Sequence, residues 1–218
     1  MVTRMRPSFI TPIPELYLAA KLLDAAADAL LSDRSMLAAE LIVRANFPEI
    51  TNYARRIVGK LSLEVHRHTD RPRCLPKSLR DTTRMPSPRE QKEIFERDGW
   101  RCRFCGVNVV CKSARSLLTS QFSIKSIWTS IDLQGHSALY AMASSIDHVI
   151  PHGRGGNNER SNLVTACYCC QFGRGESTLE EVELLNPLLR NPHVDSWDGL
   201  SRLSRPSIGF KRIAAARQ

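Results

Sequence analysis

Four cysteines in two Cys-x-x-Cys pairs, Cys102/Cys105 and Cys167/Cys170, constrain this 218-residue chain more than any other feature. Each pair makes a tight turn that places two sulfurs on one ion without strain, and four thiolates suit tetrahedral Zn²⁺. The 61 residues between the pairs (106–166) exceed the spacing of a simple zinc ribbon, so that interval must hold further structure. Free buried cysteines are the rival reading, which fits one pair tolerably and two pairs poorly. A structural zinc supplies on the order of 10 kcal/mol of folding free energy. Cys169 lies between two ligand positions, and Cys74 and Cys111 read as free thiols.

Seven cysteines is an odd number, and no secretory apolar region precedes them, which argues against a disulfide framework and for a reducing cytoplasm. The apolar segment 16–31 is interrupted by Lys21, Asp24 and Asp28, so it is not expected to span a membrane or to serve as a signal peptide. The net charge is +9, and its distribution is uneven. Residues 71–130 carry 13 Lys/Arg against 5 Asp/Glu, whereas 1–70 carry 9 against 8 and 131–218 carry 9 against 9. A basic block of this kind is either a solvated linker or a surface that tracks phosphates.

Before the first pair the pattern is helical. Leu16, Ala19, Leu23, Ala26 and Leu30 recur at steps of three and four, predicting an amphipathic helix of about 17 residues after Thr11 and the prolines at 12 and 14. Ser32-Asp33 is expected to cap a second helix, Met36 to Ala45, and a third is expected over Glu49 to Val65, weakened by Gly59. This predicts a small helical domain over 1–66, followed by a basic linker, 67–86. Its helices pack on the rest of the chain, bind a partner or form a homodimer; the pattern leaves all three open. Ser87-Pro88-Arg89-Glu90 is a capping box with proline at the first helical position, and Asp98-Gly99 ends that helix. Residues 112–142 predict a helix or two. A capped helix is expected over 179–185, and Trp197 is expected to anchor the tail, 186–218, on the core.

The richest stretch is Ser145 to Gly175, SSIDHVIPHGRGGNNERSNLVTACYCCQFGRG. An apolar strand, Ile146 to Ile150, carries Asp147 and His148 and ends at Pro151. A Gly-rich loop, His152 to Ser161, leads to a second short strand, Asn162 to Thr165, and then to the second cysteine pair at the start of a helix. Imidazole suits a general base near neutral pH, and Asp147 is a hard oxygen ligand suited to Mg²⁺. Adjacent strand residues face opposite ways, so the two share one site only if the strand end is twisted or bulged.

In Asp147, His148, Pro151, Gly155, Gly156, Asn162, Leu163, Cys167, Cys170, Gln171, Arg174 and Gly175 the stretch resembles the HNH endonucleases with their ββα-metal site. Arg97 to Gly106, R-D-G-W-x-C-x-x-C-G, resembles the segment ahead of the catalytic hairpin in zinc-bearing members. Gln171 departs from the family, whose last metal-binding position is usually His or Asn; its amide oxygen lies one methylene further out than that of Asn.

The resemblance implies an α+β fold: a ββα-metal core over 87–185, stapled by a four-cysteine zinc site, with an insertion at about 112–142, behind the N-terminal helical domain. It implies a DNA phosphodiester hydrolase, acting on double-stranded DNA and leaving 5′-phosphate and 3′-hydroxyl ends. His148 is then the general base, and Asp147 and Gln171 hold Mg²⁺ or another divalent cation. Asn162 braces the loop and orients His148. Arg154 and Arg174 bind phosphate oxygens, or are plain surface charges. The rival from another class is a non-catalytic zinc-stabilised nucleic-acid-binding module, and an RNase of the same fold is a third reading.

Overall fold

The computed structural model describes residues 5–58, 74–122 and 135–204. Three helices come first: α1 (Pro14–Leu31), α2 (Ser35–Arg44) and α3 (Pro48–Ile57). The stripe of Leu16, Ala19, Leu23, Ala26 and Leu30 is the buried face of α1, as its period predicts. Ser32 and Asp33 do not cap α2. They close α1: Arg34 N–H donates to the Ala29 carbonyl and Asp33 N–H to that of Leu30, with Asp33 at φ 57°. This is a Schellman motif whose left-handed residue is Asp rather than Gly. The expected extension of α3 beyond Val58 and the linker residues before Cys74 lie outside the described residues.

The capping box holds as read. In α4 (Pro88–Arg97) the Ser87 hydroxyl accepts from Glu90 N–H and the Glu90 carboxylate accepts from Ser87 N–H. Gly99, at φ 64°, turns the chain out of the helix, where its α-hydrogen lies against the His193 carbonyl. Two helices follow, α5 (Lys112–Gln121) and α6 (Ser137–Ala141). Then come strands β1 (Ser144–His148) and β2 (Leu163–Cys167), paired antiparallel, and α7 (Tyr168–Arg174). Each strand is displaced about its predicted span by one or two residues.

No helix forms over 179–185. Thr178 and Glu181 exchange the two capping hydrogen bonds, but Glu183 sits at φ 55° and Leu184 is drawn into a parallel bridge with Arg6. Long-range pairing overrides the local helix signal there. Trp197 is buried, and its indole N–H donates to the Val109 carbonyl at 3.0 Å, which anchors the tail as expected. Gly199 has no room for a side chain, since a Cβ there would lie 2.2 Å from the Trp100 ring.

The described N-terminal helices and the hairpin share one apolar core, which runs from Leu16, Leu23 and Ile57 through Phe104 and Ile146 to Trp197. α3 packs against both α6 and α7, and Gly173 allows the approach: a Cβ at Gly173 would meet Ile57 Cγ2 at 2.5 Å. No helix among the described residues is long and apolar enough to cross a membrane.

Candidate metal centre and catalytic loop

The four-cysteine cluster is assembled from two tight turns, or knuckles. Cys102 N–H donates to the Val107 carbonyl and Gly106 N–H to the Cys102 carbonyl, which folds 102–106 into a tight turn with Gly106 at φ 81°. Arg103 N–H donates to the Thr165 carbonyl at 2.8 Å, laying this turn on β2. At the end of β2, Cys167 is the N-cap of α7 and its sulfur accepts from Cys170 N–H. The four sulfurs of Cys102, Cys105, Cys167 and Cys170 lie within 4.8 Å of one another, with Cys105 and Cys167 at 3.7 Å. Tetrahedral Zn–S bonds of ~2.3 Å place sulfurs about 3.8 Å apart, so the donor set fits a Zn²⁺ ion. Bonds from Cys102 and Cys105 pull the Cys167 thiol well below its usual range, while the Cys105 and Cys170 thiols are pushed well up, in each case first by a bond to Cys102. A dication that takes four thiolates removes this competition for protons. Cys169 is buried beside the cluster without joining it.

One buried carboxylate, missed in the sequence, ties the frame together. Asp98 accepts from Thr165 N–H at 2.7 Å and pairs with Arg97 and Arg103, so the end of α4, the first knuckle and β2 meet at one side chain. Its only sequence signal is its place in the R-D-G-W run.

The hairpin register runs through the candidate residues without a bulge: Asp147 opposes Val164 and His148 opposes Leu163. The two side chains accordingly turn to different partners. Asp147 meets Arg174 of α7 through two bonds, Nη2 to Oδ1 at 2.7 Å and Nε to Oδ2 at 3.1 Å. Burial pushes the Asp147 carboxyl up, and the guanidinium opposes this without cancelling it. Arg174 is only 2% exposed; it also donates to the carbonyls of His148, Val149 and Ser177 and stands over the Phe104 ring. It binds the hairpin to α7 from inside and is not presented to a phosphate, contrary to the expectation from sequence. Arg154 pairs with Glu181 at 2.6 Å.

His148 is 6% exposed, and its Nε2 lies 2.9 Å from the Asn158 amide oxygen. Burial pushes its pKa down, against the upward pull of Asn158 and Asp147, which favours the neutral imidazole. Asn158 was not singled out by the sequence; it sits in a Gly-Asn-rich loop where no spacing marks one amide from the next. Asn162 braces the loop as expected: its oxygen accepts from Ile150 N–H (2.8 Å), and its amide donates to the carbonyls of Ile150 and Asn157. It makes no bond to the His148 ring. A Cβ on Gly156 would fall 1.8 Å from the Ile150 carbonyl oxygen, so glycine is needed where the loop closes.

Gln171 is half-buried and donates to the Ile146 carbonyl at 3.4 Å. The donor set expected for a divalent ion is thus otherwise engaged, Asp147 by a guanidinium and Gln171 by a main-chain oxygen. A cation beside Asp147 would also face the positive charge of Arg174. This arrangement does not fit a second metal, and among the described residues the four cysteines are the one cluster of three or more His, Cys, Asp or Glu side chains close enough to share an ion.

No curated protein and no solved structure matches the chain. Residues 134–171, which run from ahead of α6 through the hairpin and loop to Gln171, match the family model described as HNH endonuclease.

Proposed function

We propose that the protein is an HNH endonuclease that hydrolyses double-stranded DNA with His148 as general base. The observation that carries this reading is the HNH match over 134–171 with His148 at the end of β1, held by one ring nitrogen, where burial pushes its pKa down. A neutral imidazole takes a proton from water as the water oxygen attacks phosphorus. The P–O3′ bond then breaks, leaving a 5′-phosphate and a 3′-oxygen that is protonated to the hydroxyl. Zinc supplies structure only, holding the knuckle turn against α7. The basic block supports a polyanionic partner, and within it Lys77 and Arg84 are exposed on the segment that crosses the loop.

The resemblance also implies Mg²⁺ or another divalent cation at Asp147 and Gln171; with Asp147 paired to Arg174 that site does not fit one, and the proposed hydrolysis takes no step through it. The Asp147–Arg174 pair favours a second reading, a zinc-stabilised DNA-binding module without metal chemistry. Nicking of supercoiled plasmid, with Mg²⁺ and with EDTA, separates the two. Wild type nicks, and His148→Ala lowers the rate by about 100-fold or more, the usual contribution of a general base. Gln171→Asn in parallel measures what the extra methylene costs. A wild-type protein that binds plasmid, retains zinc and cuts under neither condition supports the binding module, and cleavage of RNA alone supports an RNase.

A further inference from the structure

Residues 74–84 cross the catalytic loop and touch it at three places. Leu75 N–H donates to the Gly153 carbonyl at 2.7 Å, His152 Nε2–H donates to the Asp81 carbonyl at 2.9 Å, and the Asn158 amide nitrogen donates to the Thr83 carbonyl. The Asp81 carboxylate accepts from Thr83 N–H at 3.1 Å, a local turn that fixes where this part of the main chain points. The third contact leads to His148. A carbonyl can only accept, so the end of Asn158 facing Thr83 is its NH₂ group, and the end facing His148 Nε2 is its oxygen, 2.9 Å away. That oxygen carries no proton, so the proton in this bond belongs to Nε2. In a neutral imidazole the lone pair then sits on Nδ1.

We propose that Asn158 is a positioning residue for His148 and that segment 74–84 sets Asn158. Together they hold the ring as the Nε2–H tautomer, with Nδ1 the nitrogen that accepts a proton. The meaning of Nδ1 rests on the nuclease reading, whereas the hydrogen-bond chain does not. The chain ties the described part of the basic linker to the one side chain on which hydrolysis depends. It also explains why an amide is needed at 158: a carboxylate cannot donate to Thr83, and a hydroxyl cannot reach both partners.

The test is proton NMR of the ¹⁵N-labelled, zinc-loaded full chain, because a hydrogen-bonded imidazole N–H exchanges slowly enough to be seen. The His148 resonance is identified by its loss in His148→Ala. Wild type shows it on Nε2. Asn158→Ala loses it, and kcat for nicking falls about tenfold with KM unchanged, as for a misplaced base. Asp81→Ala broadens it and lowers kcat by about threefold. Positions 81 and 158 belong to a surface segment and a surface loop, and unchanged zinc content verifies the fold of each variant. A wild-type resonance on Nδ1, or one that survives Asn158→Ala, overturns the proposal. Loss in Asn158→Ala with a wild-type signal in Asp81→Ala overturns the part assigned to segment 74–84. A wild type that shows the Nε2 resonance and cuts no DNA sinks the nuclease reading and leaves this inference standing.

Discussion

A guanidinium that is 2% exposed and paired through two parallel bonds cannot also reach a phosphate in solvent. Arg174 therefore makes a stability prediction where a DNA contact would make an affinity prediction. Arg174→Met leaves Asp147 buried and unpaired, and breaking a buried pair from one side costs about 3–5 kcal/mol. Urea denaturation measures this directly, and a surface phosphate contact would leave the midpoint unmoved. Adding Asp147→Asn removes the orphaned charge and recovers part of the loss, which makes the pair a double-mutant cycle. Arg174→Lys keeps the charge but loses the two-pronged fork and falls between. The sequence put Arg174 beside the site correctly, but both roles it offered, phosphate contact and plain surface charge, need an exposed guanidinium. Its partner is 27 positions away, on the strand that carries the candidate base, and no local pattern links the two.

A two-stranded sheet with a seven-residue helix is a small unit to keep folded, and an isolated hairpin is at best marginal in water. Two fastenings hold it here, Asp98 from the end of α4 and the four sulfurs. Zinc analysis should find one ion per chain. Its removal by a strong chelator should cost on the order of 10 kcal/mol and melt the 102–106 turn together with α7. Cys105→Ser should release the ion, whereas Cys169→Ser, one residue from Cys170 and as buried as that ligand, should keep it and lose only about 1–2 kcal/mol. Equal zinc loss in both variants would remove Cys105 from the ligand set. This element was the most legible part of the chain, since ligand spacing, the capping box and the terminating Gly99 are all local signals. The stretch 179–185 looked equally local and was not: Glu183 and Leu184 answer to Arg6, nearly the whole chain away.

At the scale of the molecule, the N-terminal helices share the apolar core of the hairpin, and a histidine that matches no motif joins α2 to α6. His136 caps α6 by accepting from Leu139 N–H on Nδ1, while its Nε2–H donates to the Ile42 carbonyl of α2 at 2.7 Å. Beside it, Ser137 N–H donates to the Asn46 side chain at 2.7 Å. No period or motif could mark this residue, because its two partners lie on different elements and one is 94 positions away. Burial pushes the His136 pKa below its ordinary value, against the smaller upward pull of its main-chain bonds. A base with a depressed folded pKa gives stability that is complete above its unfolded pKa, ~6.5, and that is lost as pH falls from there toward the folded value. Protonating Nδ1 also removes the cap acceptor, so the charge and the lost bond act in the same direction. Thermal unfolding between pH 7.5 and 5 should therefore show stability falling on acidification, with at most about 1.4 kcal/mol per pH unit from this group. His148 contributes with the same sign, so the difference between wild type and His136→Gln isolates the staple between α2 and α6. Gln can donate to Ile42 but cannot titrate, and its pH slope should be shallower. Identical slopes would mean that α2 and α6 are held together by apolar contact alone.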